Sequence, residues 1–276
     1  MYAQPSTIEE ATRAMAAEGA LAVSGGTDVY PAHVGKPLGR PLVDLSRVAG
    51  LRGITTAAQD IRFGAATTWT DIIRAELPPA FDGLKAAARE VGSVQIQNRG
   101  TIAGNLCNAS PAADGVPPLL ALDARVELAS TQGRRVLPLA SFITGYRRTA
   151  LAPGEIVTAV MVPRPAPAAR SAFVKLGARR YLVISILMAA AVVEKDAEGR
   201  IARASLAVGA ASPVAQRLAL LEAELSGLAG RPSALVAPRH LAGLAPIDDV
   251  RASAAYRREA ALAAVGEALD RAAGFA

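Results

Sequence analysis

The chain has 276 residues, of which 51% are apolar, 20% charged and 4% aromatic, and its mean hydropathy is +0.28. Those values exclude a disordered chain and give enough length for two or three lobes with cores of their own. The net charge of +6 is spread over short arginine pairs with no basic run interleaved with aromatics, which argues against a nucleic-acid platform and fits a basic surface or docking against acidic partner subunits.

In chain order, Ser6-Thr7-Ile8-Glu9 reads as a capping box, with Ser6 at the N-cap and Glu9 reaching back. The helix it opens runs to about Ala17 and ends at Gly19. Residues 20–23 are a short buried strand that leads into Ser24-Gly25-Gly26-Thr27-Asp28, and residues 41–45 are the next strand. Residues 51–55 and 61–65 read as a hairpin. Thr70 is expected to cap a helix over 71–76, and a second helix covers 80–91. After a polar segment at 101–114 come an apolar helix at 117–122 and strands at 124–129 and 135–139, followed by 141–146 and 156–162. Pro163, Pro165 and Pro167 then mark a linker, because proline continues neither a helix nor a central strand. Beyond it, strands at 172–176, 184–194 and 203–209 and helices at 216–225 and 252–273 predict an α+β C-terminal domain.

Several chemistries find no support. Cys107 is the one cysteine, so the chain alone forms no internal disulfide and holds no iron–sulfur cluster. His33 and His240 lie in no ligand-spaced motif and read as surface or core histidines. The sequence has no G-x-G-x-x-G, Walker loop, G-x-S-x-G, H-E-x-x-H or C-x-x-C. Residues 1–5 do not read as a signal peptide, and the apolar run 181–193 is shorter than the roughly 20 residues of a membrane span. A soluble, cytoplasmic protein is expected.

Two segments remain. Ser24-Gly25-Gly26-Thr27-Asp28 is either a plain turn or a loop whose amides and hydroxyls hold an anion, its glycines letting the backbone come close to a ligand. Thr101, Asn105, Ser110 and Asp114 set polar side chains beside Gly100 and Gly104. Asp114 suits ribose hydroxyls, or else caps the following helix.

These segments occur in order with Asn98-Arg99-Gly100-Thr101-Ile102-Ala103-Gly104-Asn105 and Phe173-Val174-Lys175-Leu176-Gly177-Ala178-Arg179-Arg180. Together they resemble the FAD-binding (medium) subunits of the molybdenum hydroxylases, the xanthine dehydrogenase and carbon monoxide dehydrogenase family, over the whole chain. The resemblance implies an α+β fold. It would comprise a two-lobed FAD-binding domain of the vanillyl-alcohol-oxidase (PCMH) type at 1–165, with lobes about 1–50 and 51–165, and a C-terminal flavoprotein domain at 168–276. Leu21, Ala22, Val23, Ser24, Gly25, Gly26, Thr27, Asp28 and Val29 would wrap the FAD pyrophosphate. Val91 and Gly92 would lie against the cofactor. Gly100, Thr101, Gly104 and Asn105 would form a second wall, Asp114 would bind sugar hydroxyls, and Val157 and Lys175 would sit near the flavin ring.

The implied role is electron transfer in a heterotrimer. Electrons from a large molybdopterin subunit would pass through 2Fe–2S clusters of a small subunit to FAD here, then to NAD, a quinone or oxygen. No catalytic acid or base and no metal ligand is implied in this chain. The alternatives are a stand-alone flavin oxidoreductase and a flavin-free binding or scaffold subunit. Three features depart from the family pattern. Ala103 stands where glycine is frequent, Ala113 where relatives carry serine, and Tyr181-Leu182-Val183-Ile184-Ser185 where a polar loop is common. The extra cysteines of the 4Fe–4S-bearing reductase branch are also missing.

Overall fold

The computed structural model describes Tyr2–Phe275, built on three main sheets. The first is parallel and three-stranded, with Leu42–Asp44 between Tyr2–Ala3 and Leu21–Val23. The helix Ile8–Met15 crosses over it. Its N-cap is Thr7, not Ser6: the Thr7 hydroxyl accepts from the Glu10 amide, and the Glu10 carboxylate reaches back. Ser6 stands one residue too early to reach that amide, so its own amide and hydroxyl donate to Glu10 instead.

The second sheet is antiparallel and five-stranded. Its order is Ile54–Thr56, Asp60–Gly64, Ile156–Pro163, Arg125–Ser130, Gly133–Pro138. Ile156–Pro163 is the central strand, and Val160 pairs with Phe63 on one side and Val126 on the other. Burial on both faces explains why this strand is apolar but for Thr158, whose hydroxyl donates to Glu127. Over the sheet lie the helices Trp69–Arg74, Asp82–Glu90, Ile102–Asn108 and Val116–Ala121. The first is capped by Thr68, two residues before the expected cap, because Thr68 and Asp71 close the capping box. The segment 141–146 divides between the helix Leu139–Phe142 and the strand Ile143–Gly145, which pairs with Arg148–Thr149.

The third sheet is antiparallel, running Arg170–Leu176, Leu187–Lys195, Ile201–Gly209, Gln216–Arg217. The expected helix at 216–225 is replaced by this edge pairing followed by the helix Ala219–Glu224. Arg217 is held by Glu222 and Asp123, which fixes the extended start. Leu187, Ala189, Ala191 and Val193 turn one face of their strand into a core with Ala261, Val265, Ala268 and Leu269 of the helix Ala254–Ala272. The opposite face, Met188 and Ala190, packs on Ala87 and Ala121 of the second sheet's helices. The contact leaves no slack: a Cβ on Gly209 would come within 2.8 Å of Pro117 Cγ and 2.7 Å of Met188 Cε. Small side chains let the layers close this tightly, which is the structural use of the alanine-rich composition.

Among the described residues no helix is long and apolar enough to cross a membrane. Among the same residues there is no group of three or more His, Cys, Asp or Glu side chains that could hold a metal ion. His240 is a core histidine, its Nδ1 accepting from the Ala237 amide at 3.0 Å while Nε2 faces Glu224. His33 is part-buried and bonds the Val29 carbonyl at 2.7 Å.

Candidate functional site

Where the edge strand Leu21–Val23 ends, the chain turns through Ser24-Gly25-Gly26-Thr27-Asp28 at the seam between the first two sheets. Gly26 adopts φ +71°, a left-handed conformation that favours glycine. A Cβ on Gly26 would run into the Tyr30 ring, and one on Gly25 would overlap the Arg99 carbonyl. Gly25 thus lets the first loop sit directly on Arg99 of the second segment, and Gly26 leaves room for the Tyr30 ring within the loop, while both also line the cleft described below. None of the amides of residues 24–29 has a hydrogen-bond partner among the described residues. A run of unspent backbone donors of this kind is a setting for an anion.

The second wall is built differently. Thr101 caps the helix Ile102–Asn108, its hydroxyl accepting from the Gly104 amide at 3.1 Å. Ile102 donates to Thr67 O, Ala103 to Ala65 O and Asn105 to Thr101 O. What this wall offers is side chain and shape. The Asn105 Oδ1 atom is buried without a hydrogen-bond partner, a state that costs roughly 1–3 kcal/mol in an isolated protein.

Between the walls lies a cleft of about 440 Å³, lined by residues 21–29 and by Val91, Gly100, Thr101, Gly104 and Asn105. It continues into an apolar recess of about 420 Å³ that shares Leu21, Ala22, Val23, Ser24, Thr101 and Gly104 and adds Met15, Leu45, Leu51 and Val157. The first part is amide-rich and the recess adjoining it is apolar. FAD is an elongated molecule with a doubly charged pyrophosphate between two flat ring systems. The unspent amides, the orphaned Asn105 oxygen and the apolar recess fit that group.

Gly92 lies outside the lining. It adopts φ +56° against Ile96 and sets the turn that presents Val91. Val157 and Lys175 do not share one end of the cleft. Val157 lines the recess, whereas Lys175 donates to the Glu90 carbonyl beside Val91 and to Asp114 Oδ2 at 2.9 Å. Asp114 and Lys175 line neither part of the cleft; they form a buried ion pair, with Ser185 Oγ donating to Asp114 Oδ1 at 2.7 Å. Burial pushes the Asp114 carboxyl up, and the Lys175 charge and the two hydrogen bonds pull against it.

Sequence reasoning did not name Trp69, Ile96, Cys107 or Asn108, which also line the polar part. Trp69 is the chain's single tryptophan and is almost fully buried beneath the second wall, its amide donating to Gly100 O at 3.1 Å. Cys107 is exposed to both parts of the cleft but closely surrounded elsewhere, and desolvation pushes its thiol up to about 12.

Comparison with known families matches residues 1–165 to the FAD binding domain in molybdopterin dehydrogenase and residues 172–272 to the CO dehydrogenase flavoprotein C-terminal domain. The 6-hydroxypseudooxynicotine dehydrogenase complex subunit alpha of Paenarthrobacter nicotinovorans is 34% identical, covering 94% of this chain and 89% of its own. The xanthine dehydrogenase FAD-binding subunit of Escherichia coli O157:H7 is 35% identical, covering 77% and 74%. Among solved structures, carbon monoxide dehydrogenase from Hydrogenophaga pseudoflava superposes with a TM-score of 0.90 at 28% identity, covering 98% of this chain and 96% of that one.

Proposed function

Because the chain belongs to the FAD-binding subunits of the molybdenum hydroxylase family, we propose that it is the electron-transfer subunit of a xanthine-dehydrogenase-type complex. In this reading it works in the cytoplasm beside a large molybdopterin subunit and a small 2Fe–2S subunit, as a heterotrimer or its dimer. FAD, when bound, supplies an acceptor for electrons from the small subunit and a donor to NAD, a quinone or another acceptor. The chain's own residues bind and orient the cofactor and shield it from water.

The observation that carries this reading is the run of unspent amides at residues 24–29 lining the cleft. Those amides, with the Ser24 and Thr27 hydroxyls, would hold the pyrophosphate. Asn105 would accept at its unpaired Oδ1. Leu21, Ala22, Val23 and Val157 would cover one ring system in the recess, and Val91, set by Gly92, would press on the other end. Asp114, paired with Lys175, would take sugar hydroxyls. The same reading divides the chain into a FAD-binding domain at 1–165, with lobes about 1–50 and 51–165, and a C-terminal domain at 168–276.

The test is reconstitution. The full chain should take up one FAD, and its visible flavin absorption should bleach on adding the reduced iron–sulfur subunit and return with NAD or a quinone. A chain that never retains FAD at micromolar concentration, alone or with its partners, would overturn the assignment.

A further inference from the structure

Ser185 lies in the apolar segment 181–185, and nothing in its spacing marks it as functional. In the fold it is fully buried, and its two polar groups point two ways. Its hydroxyl donates to Asp114 Oδ1 at 2.7 Å, and its carbonyl accepts from Arg251 Nη1 at 2.8 Å. Arg251 is in turn clamped by Asp249, which also receives Arg257 of the long C-terminal helix at 2.6 Å. On its other oxygen Asp114 accepts from Lys175, whose ammonium also reaches the Glu90 carbonyl at 3.2 Å.

This junction adjoins the cleft. Val91, next to Glu90, lines it. Gly115, next to Asp114, has no room for a Cβ against the Trp69 ring and would place one 2.9 Å from Asn105 Oδ1. A carboxylate held by one lysine can turn about its Cβ–Cγ bond. A second donor on the other oxygen fixes the plane and leaves each oxygen a lone pair for an incoming hydroxyl. Alanine is smaller than serine, so packing alone would not call for the hydroxyl.

We propose that Ser185 is a positioning residue of the FAD site, its hydroxyl fixing the Asp114 carboxylate for the cofactor's sugar hydroxyls while Arg251 fixes Ser185. The proposal rests on the assignment of Asp114 to FAD made above. Through this chain of contacts the C-terminal domain bears on the Asp114 carboxylate.

The experiment measures FAD dissociation constants on the full, FAD-stripped chain by flavin fluorescence, with flavin absorption spectra of the loaded forms. Ser185→Ala should weaken FAD binding about ten-fold, the scale of one hydrogen bond to a charged group. Ser185→Thr, which keeps the hydroxyl, should stay within about three-fold of the parent chain. In an Asp114→Asn background Ser185→Ala should add nothing. An unchanged dissociation constant for Ser185→Ala, or an equal loss in both backgrounds, would overturn the proposal. An Asp114→Asn chain that binds FAD as tightly as the parent would instead overturn the assignment of Asp114. Should Ser185→Ala fail to fold by circular dichroism, Arg251→Gln serves in its place. It should weaken FAD about three-fold, again only while Asp114 is present; no change would overturn the proposal.

Discussion

From residue 24 to residue 29 the backbone amides have no partner among the described residues, whereas from 102 to 105 every amide is already bonded within the protein. The two walls of one cleft thus divide the work. The first supplies donors that the protein itself leaves open. The second is a finished helix that supplies a surface, one unsatisfied side chain and the rigid base on which the first loop rests. Rigidity on one side is what allows donors on the other to remain in place, since an open loop without such a seat would turn its amides to water or to itself.

The strongest way to break this division is to separate the walls. Gly25→Val should abolish FAD binding and destabilise the chain by about 3 kcal/mol, because its side chain cannot coexist with the Arg99 carbonyl; denaturant titration and FAD fluorescence measure both. Gly104→Leu attacks only the space between them. A Cβ there meets nothing but Thr101 Oγ1 at 2.9 Å, and Gly104 is exposed in the cleft. FAD affinity should fall about a hundred-fold while stability changes by less than about 1 kcal/mol, the gain in helix propensity being offset by displacement of the capping Thr101 hydroxyl. A loss of both would mean that the second wall is not the passive surface described.

Asn105→Leu should split the two quantities in opposite directions. Removing a buried unpaired oxygen should stabilise the FAD-free chain by about 1 kcal/mol, while FAD binds about ten-fold more weakly. Thermal unfolding with and without FAD reads both signs. The smallest effect is chemical. Because the Cys107 thiol is pushed up to about 12, it is almost wholly protonated at neutral pH, and alkylation should be slow and accelerate as pH rises toward that value. FAD should suppress the labelling that remains, since Cys107 lines the cleft.

The first wall was legible in the sequence because its signals are local. An apolar run stops at Ser24-Gly25-Gly26, and strand and loop stand where that pattern puts them. The helix Ile102–Asn108 was not legible, since Gly104, Asn105 and Asn108 are weak helix formers. Packing of Ile102 and Leu106 into the core outweighs that propensity. The seating of Gly25 and Gly26 on Arg99 and Tyr30 was not legible, because such contacts do not show in a one-dimensional reading. The link from Ser185 to Asp114 spans 71 residues and has no periodicity to betray it. For the same reason a strand was expected from residue 184, whereas pairing begins at Leu187.

The strand Leu187–Lys195 has consequences for modularity. With one face given to its own helix and the other to the helices of the preceding domain, it is a party wall shared by two buildings. The proline-rich stretch before it looks like a place to cut and rejoin. Yet a chimera joined there would bring together two halves shaped against different neighbours, and Met188, Ala190 and Gly209 would meet side chains they do not fit. Exchange of flavoprotein halves between relatives therefore requires exchanging this surface and its opposite number, Ala87, Pro117 and Ala121, as one unit.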